Sequence, residues 1–140
     1  MAVEHLASGA KIATLDAADQ VDFGPLSHYR PLMADGTTPV RTGIQVCEPG
    51  YVAPMHHHPY VEMLFILEGE ADVWTEGGEE AKRRLKAGDT VAMPPEVPHS
   101  FAVVGDKTMR LLGIHHSPER IVHYREEETD KDGYRVLKDT

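Results

Sequence analysis

Short apolar runs separated by turn residues recur along this 140-residue chain every 8–12 residues or so, and that rhythm is the main constraint on its fold. The 10 prolines and 12 glycines are spread between the runs rather than pooled in a linker. Such punctuation breaks helices and closes turns, so it predicts an all-β domain. Val40 to Cys47 alternates in part, with Val40, Ile44 and Val46 on one parity. Val61 to Leu67 (VEMLFIL) is almost wholly apolar, which predicts that both of its faces are covered. Ala71 to Thr75 follows a Glu-Gly-Glu turn, and Ala81 to Lys86 reads as an edge strand protected by Lys82, Arg83, Arg84 and Lys86. Thr90 to Met93, Ser100 to Val104 and Met109 to His115 complete the series. Helical periodicity is weak except near Ser117 to Arg125, where Ser-Pro-Glu predicts the opening of a short helix.

Charge and cysteine content narrow the function classes. Lys plus Arg number 14 against 23 Asp plus Glu, a formal charge of −9. This argues against nonspecific nucleic-acid binding and against docking on an anionic membrane. A small anionic substrate remains compatible, because a bound metal can outweigh the global field. The single cysteine, Cys47, excludes an intramolecular disulfide and a cysteine-rich zinc module, and it reads as a small buried apolar residue. Glu4, His5 and Lys11 interrupt the apolar stretch a signal peptide needs, and no run approaches the ~18 apolar residues of a membrane span. The expectation is a soluble, cytoplasmic protein in a reducing compartment.

With cysteine nearly absent, nine histidines carry the metal-binding potential, and three of them are consecutive. Residues 50–69 read GYVAPMHHHPYVEMLFILEG. In extended chain His56 and His58 point one way and His57 the other. Glu62 shares the parity of His56 and His58 and reaches the same space if the strand bends at Pro59-Tyr60. Gly88 to His99 (GDTVAMPPEVPH) brings another histidine after a proline-rich turn. Two imidazoles two apart, a carboxylate four further on and a distant fourth group would make a metal site on strands. Such a set suits Fe, Mn, Ni, Cu or Zn. On composition alone, an exposed histidine loop is an equal reading.

The segment resembles the first cupin motif, G-x5-H-x-H-x3-E-x6-G, at every fixed position: Gly50, His56, His58, Glu62 and Gly69. The second motif, G-x5-P-x-G-x2-H-x3-N, is matched at Gly88, Pro94 and His99. It departs at Glu96, where the family has glycine, and at Val103, where it has asparagine. The resemblance implies a double-stranded β-helix, or jelly-roll barrel, with one divalent transition metal per chain held by His56, His58, Glu62 and His99. It implies a barrel over residues 36–117, an N-terminal segment 1–35 packed against it and a charged C-terminal tail, 118–140. Loss of the glycine at Glu96 predicts a turn before His99 that differs from the family's. His57 is expected to be structural or exposed.

Around the metal the residues speak less clearly. Tyr60 is a candidate catalytic phenol, with a packed tyrosine as the plainer reading. His115 or His116 must face inward on a regular strand, which makes His115 a candidate for metal support or general-base work. Phe65, Trp74, Phe101, Met55, Met63 and Met93 read as core. An apolar lining favours an organic ligand with a chelating polar end over a free sugar. Arg41, Gln45 and Arg110 are expected to face solvent, and His28, Tyr29 and Arg30 suggest no function. The apolar run Val61–Leu67 predicts a homodimer, as in small cupins similar to this one. Three functions follow from the resemblance: a dioxygenase-type oxidoreductase acting on a small chelating substrate, a non-redox isomerase, lyase or decarboxylase, or a small-molecule binding protein without catalysis.

Overall fold

The computed structural model describes residues 3–125. Its strands are β1 (Val3–His5), β2 (Lys11–Ala13), β3 (Val21–Asp22), β4 (Ser27–Pro31), β5 (Arg41–Cys47), β6 (His56–His57), β7 (Glu62–Glu68), β8 (Glu70–Thr75), β9 (Arg83–Lys86), β10 (Thr90–Met93), β11 (His99–Val104), β12 (Met109–His115) and β13 (His123–Tyr124). Six of them form one sheet in the order β10-β7-β12-β5-β4-β3, and five form a second in the order β13-β6-β11-β8-β9. Strands β1 and β2 make a separate hairpin. Every pairing is antiparallel, giving the all-β jelly-roll barrel expected from the run spacing and motifs. No helix among the described residues is long and apolar enough to cross a membrane.

The core lies between the sheets. Cys47, Leu64, Ile66, Met93, Met109 and Leu111 from the larger sheet meet Ala71, Val73 and Phe101 from the smaller one. Strand β4 belongs to the larger sheet, pairing with β5 from Ser27↔Cys47 to Pro31↔Gly43. Here a glycine is required: a Cβ on Gly43 would come within 2.2 Å of the Tyr29 phenol oxygen, which lies across it. Gly69, the last glycine of the first motif, turns β7 into β8 at φ +77°, and a side chain there would meet the Thr108 carbonyl at 2.6 Å.

Four sequence expectations need correction. The run Val61–Leu67 is not covered on both faces within the chain: Leu64 and Ile66 are buried, while Met63, Phe65 and Leu67 are 43%, 36% and 40% exposed. Strict strand alternation decides this, whatever the run's composition. Met63 and Phe65 are therefore not core, and Trp74 is half-buried with the Lys82 ammonium 4.4 Å from its ring. No helix forms at Ser117–Arg125. Its backbone groups bond to distant partners instead, and His123–Tyr124 pairs with β6. Glu96 keeps the left-handed backbone of the glycine it replaces, at φ 66°. Its N–H donates to the His58 carbonyl at 2.7 Å, a bond that holds the turn in place.

Candidate metal centre

Strand ends bring the cluster together. His56 opens β6 and His99 opens β11, and the two are direct cross-strand partners. Glu62 opens β7 and is paired with His115, the last residue of β12. His58 follows β6 at the bend before Pro59, so the bend needed to bring Glu62 to the histidines is present. One ligand atom from each of His56, His58, Glu62 and His99 lies within 4.8 Å of all the others. His58, Glu62 and His99 are buried, and His56 is half-buried. His57 turns outward, with Nε2 3.5 Å from the Glu96 carboxylate and its ring stacked on His123.

Each of the three imidazoles is fixed through Nδ1 by a backbone carbonyl. His56 Nδ1 lies 2.7 Å from the Pro54 oxygen, His58 Nδ1 2.6 Å from that of Ile121, and His99 Nδ1 2.9 Å from that of Val97. A carbonyl only accepts, so each Nδ1 carries the proton, and in a neutral ring Nε2 is left as a bare lone pair. His58 Nε2 is buried with no hydrogen-bond partner. Glu62 Oε1 stands 2.9 Å from His99 Nε2 and 3.3 Å from His58 Nε2. Lone pairs and a carboxylate converging this closely repel unless a cation lies among them. The donor set therefore fits a divalent transition metal.

The other carboxylate oxygen is held from behind. His115 Nε2 donates to Glu62 Oε2 at 2.7 Å, and Tyr60 O–H donates to His115 Nδ1 at 2.6 Å. The Tyr60 oxygen in turn accepts the Ile121 N–H at 3.2 Å. One assignment of protons satisfies this whole chain with neutral rings and an ionised Glu62. Burial alone would raise the Glu62 carboxyl, but His115 beside it, with the hydrogen bond from its Nε2, holds it well below its usual range. Burial pushes His56 down to about 3, reinforced by the neighbouring His99 charge. Burial also lowers His115, with the His58 and Arg120 charges adding to it against the upward pull of Glu62. It pushes the Tyr60 phenol up to about 12.

A narrow cavity opens from the cluster, with free volume of about 50 Å3. The metal-binding set and His115 line it, whereas the Tyr60 phenol lies behind His115. Several lining residues were not foreseen. Gln45 is turned inward, donating to Ser27 Oγ at 3.0 Å, where a solvent-facing position was expected. Phe23 and Tyr29 stack with centroids 5.9 Å apart and planes 10° from parallel. Arg120 and Tyr124 reach the cavity from the segment that follows β12. No local pattern marked these positions. Tyr29 and Gln45 gain their places from pairing with each other, and Tyr124 from pairing with His56.

Comparison with known proteins agrees with this architecture. The family model described as the cupin domain matches residues 43–115. Gentisate 1,2 dioxygenase 1 of Aquipseudomonas alcaligenes is 33% identical over 73 residues, 52% of this chain and 20% of that protein. The dimethylsulfoniopropionate lyase DddQ of Ruegeria pomeroyi is 40% identical over 63 residues, 45% of this chain and 30% of that one. The chain thus spans less than a third of the length of either relative. Among solved structures, KdgF from a Halomonas species superposes with a TM-score of 0.65 at 22% identity, covering 78% of this chain and 95% of that one. At that identity the likeness speaks for the fold.

Proposed function

The chain belongs to the cupin domain family, and from that premise we propose that it is a metal-dependent enzyme of dioxygenase type acting on a small chelating organic substrate. The ligands are His56, His58, Glu62 and His99. The observation that carries the reading is the locking of three imidazoles through Nδ1, which aims their Nε2 lone pairs and Glu62 Oε1 at one point. Iron, manganese, nickel or copper bound there would supply Lewis-acid and one-electron redox chemistry. The chain's own groups do the rest. The narrow cavity excludes bulk water, and His115 fixes the Glu62 carboxylate. His115 also lines the cavity and is the group placed to hold or pass a proton, with Tyr60 positioning its ring. The likeness to the gentisate dioxygenase supports this reading.

A second reading, non-redox lyase or isomerase chemistry, is supported by the likeness to the dimethylsulfoniopropionate lyase and by the buried Tyr60–His115 pair. One experiment separates the two. Untagged protein, purified without chelators or nickel resin, is analysed for metal and then for oxygen uptake with catechols, gentisate and β-dicarbonyls. About one iron, manganese, nickel or copper per chain with oxygen uptake is the expected result. Zinc without uptake overturns the dioxygenase reading and moves the case to lyase assays.

We also propose that the chain is a homodimer joined through the outer face of β7. Met63 and Phe65 lie there beside their cross-strand partners Ile114 and Leu112, and with the exposed Leu67 they form an apolar face.

A further inference from the structure

We propose that residues 117–125, beyond β12, are a strap whose closure is coupled to metal binding: an ion on the cluster fastens it, and its opening admits and releases the ion and the substrate. The inference deepens the metal-centre reading above and rests on it.

The strap is laid along the segment that carries two of the four ligands. Arg125 N–H donates to the Met55 carbonyl at 3.3 Å, Tyr124 pairs with His56 and His123 pairs with His57. The Ile121 carbonyl accepts the Nδ1 proton of His58 at 2.6 Å, and its N–H donates to the Tyr60 oxygen at 3.2 Å. Residues 55–60 are thus gripped from one side by a single stretch of chain running antiparallel to them. Arg120 and Tyr124 of the same stretch form part of the cavity wall.

The grip is shallow. Among residues 117–125 Val122 alone is buried. Strand β13 has two residues and lies at the edge of its sheet. The ion pair of Arg125 with Glu76 joins side chains that are 41% and 48% exposed, so it adds little. Segments with little buried apolar surface open locally at a free energy well below that of the whole fold. The closed cavity, with free volume of about 50 Å3, holds roughly three to five waters, so a larger ligand requires part of its wall to move.

His58 joins the strap to the ion. Its Nε2 is aimed at the cluster, buried and without a hydrogen-bond partner, while its Nδ1 meets Ile121. A cation on Nε2 draws electron density from the ring and makes the Nδ1 proton a stronger donor, which strengthens the bond to the strap. His56 and His99 donate instead to Pro54 and Val97, two residues away in their own loops. Of the three liganding imidazoles, His58 therefore carries the presence of the ion to a distant part of the chain. The coupling is reciprocal, so the strap returns the same free energy as metal affinity.

The test uses the full-length protein with zinc(II) alone as the probe, its binding verified by elemental analysis. Loading is expected to slow amide hydrogen exchange at Ile121 and Arg125 by at least ~10-fold, and to slow it far less in the separate β1–β2 hairpin. Val122→Ser removes the buried anchor of the strap. It is expected to speed zinc release to excess chelator by about 10-fold or more, with exchange in the core strands β5 and β12 unchanged. Strap amides that ignore bound zinc overturn the proposal while leaving the metal centre standing, and that result needs no variant. A Val122→Ser protein whose strap amides exchange faster while zinc leaves at the wild-type rate overturns the gating role. A wild type that takes up no zinc overturns the metal-centre reading itself, and this proposal with it.

Discussion

His115 Nε2 meets Glu62 Oε2 at 2.7 Å, on the carboxylate oxygen turned away from His58 and His99. The two are cross-strand partners in adjacent strands, so sheet register sets the orientation of the only anionic member of the cluster. Oε1 is thereby left as the oxygen that faces the imidazoles. Holding it there costs little at the moment of metal uptake, because the backbone pairing has already placed it.

Removing that support is expected to weaken metal binding without abolishing the fold. His115→Ala should lower affinity by roughly 10- to 100-fold, the range for groups that orient a ligand. Tyr60→Phe should have a smaller effect, since His115 keeps its bond to Glu62. Glu62→Gln should be worse than either, as it removes the anion. Competition titrations with a metal-binding dye give the order, and equal affinities across the three variants would refute it.

Acid should destabilise the metal-free protein. His56 is pushed down to about 3 in the fold, against 6.5 when unfolded. Below pH 6.5 the unfolded chain therefore takes up a proton that the folded one refuses, and stability falls as pH drops toward 3. His115, also lowered, acts in the same direction. Glu62, held well below 4.5, adds to the loss once the unfolded carboxyl begins to protonate. Each such group contributes up to about 1.4 kcal/mol per pH unit. Melting temperatures in chelator should fall steadily from pH 7 to pH 5; a flat profile would count against neutral buried imidazoles.

Glu96→Gly should stabilise the protein modestly. Glu96 is the only non-glycine residue at positive φ among the described residues, a conformation that costs about 1–2 kcal/mol for an ordinary side chain. Glycine removes that cost but adds freedom to the unfolded chain, so a net gain of about 0.5–1 kcal/mol is expected. The half-exposed contact to His57 at 3.5 Å contributes little against it. Denaturant midpoints decide the matter.

The outer face of β7 supplies a test of assembly. Phe65→Glu places a charge at the centre of the exposed Met63–Phe65–Leu67 row and should convert a dimer to a monomer with the metal site intact. Sedimentation velocity of the metal-loaded variant reads this directly. A wild type that sediments as a monomer at tens of micromolar would remove the proposed interface.

Much of the architecture was legible because the deciding signals were local. The spacing of turns gave an all-β chain, and side-chain parity put His56 and His58 on one side with His57 on the other. What escaped was set by partners far along the chain. Ser-Pro-Glu at residues 117–119 has the form of a helix start, but Ile121 finds its hydrogen bonds on Tyr60 and His58, about sixty residues away. The apolar run of β7 gave its composition and not its cover. Gln45 was expected to face solvent, Tyr29 suggested no function and Arg120 fell in the stretch read as a short helix, because nothing adjacent to them marks a cavity. The turn at Glu96 escaped for a different reason: loss of the glycine predicted a different turn, and Glu96 stands at φ 66° with its N–H bonded to the His58 carbonyl.

Ile121 serves the site entirely through its main chain, accepting from His58 and donating to Tyr60. Any residue but proline offers the same N–H and C=O, so substitution at 121 should leave the two contacts intact. Counting is another matter. Five residues separate His115 from Ile121, and a single insertion or deletion among them would slide both contacts off their partners and carry Arg120 out of the cavity. This stretch is therefore intolerant of changes in length while permissive of changes in letter. A library of one-residue deletions would expose that requirement where alanine scanning would pass over it.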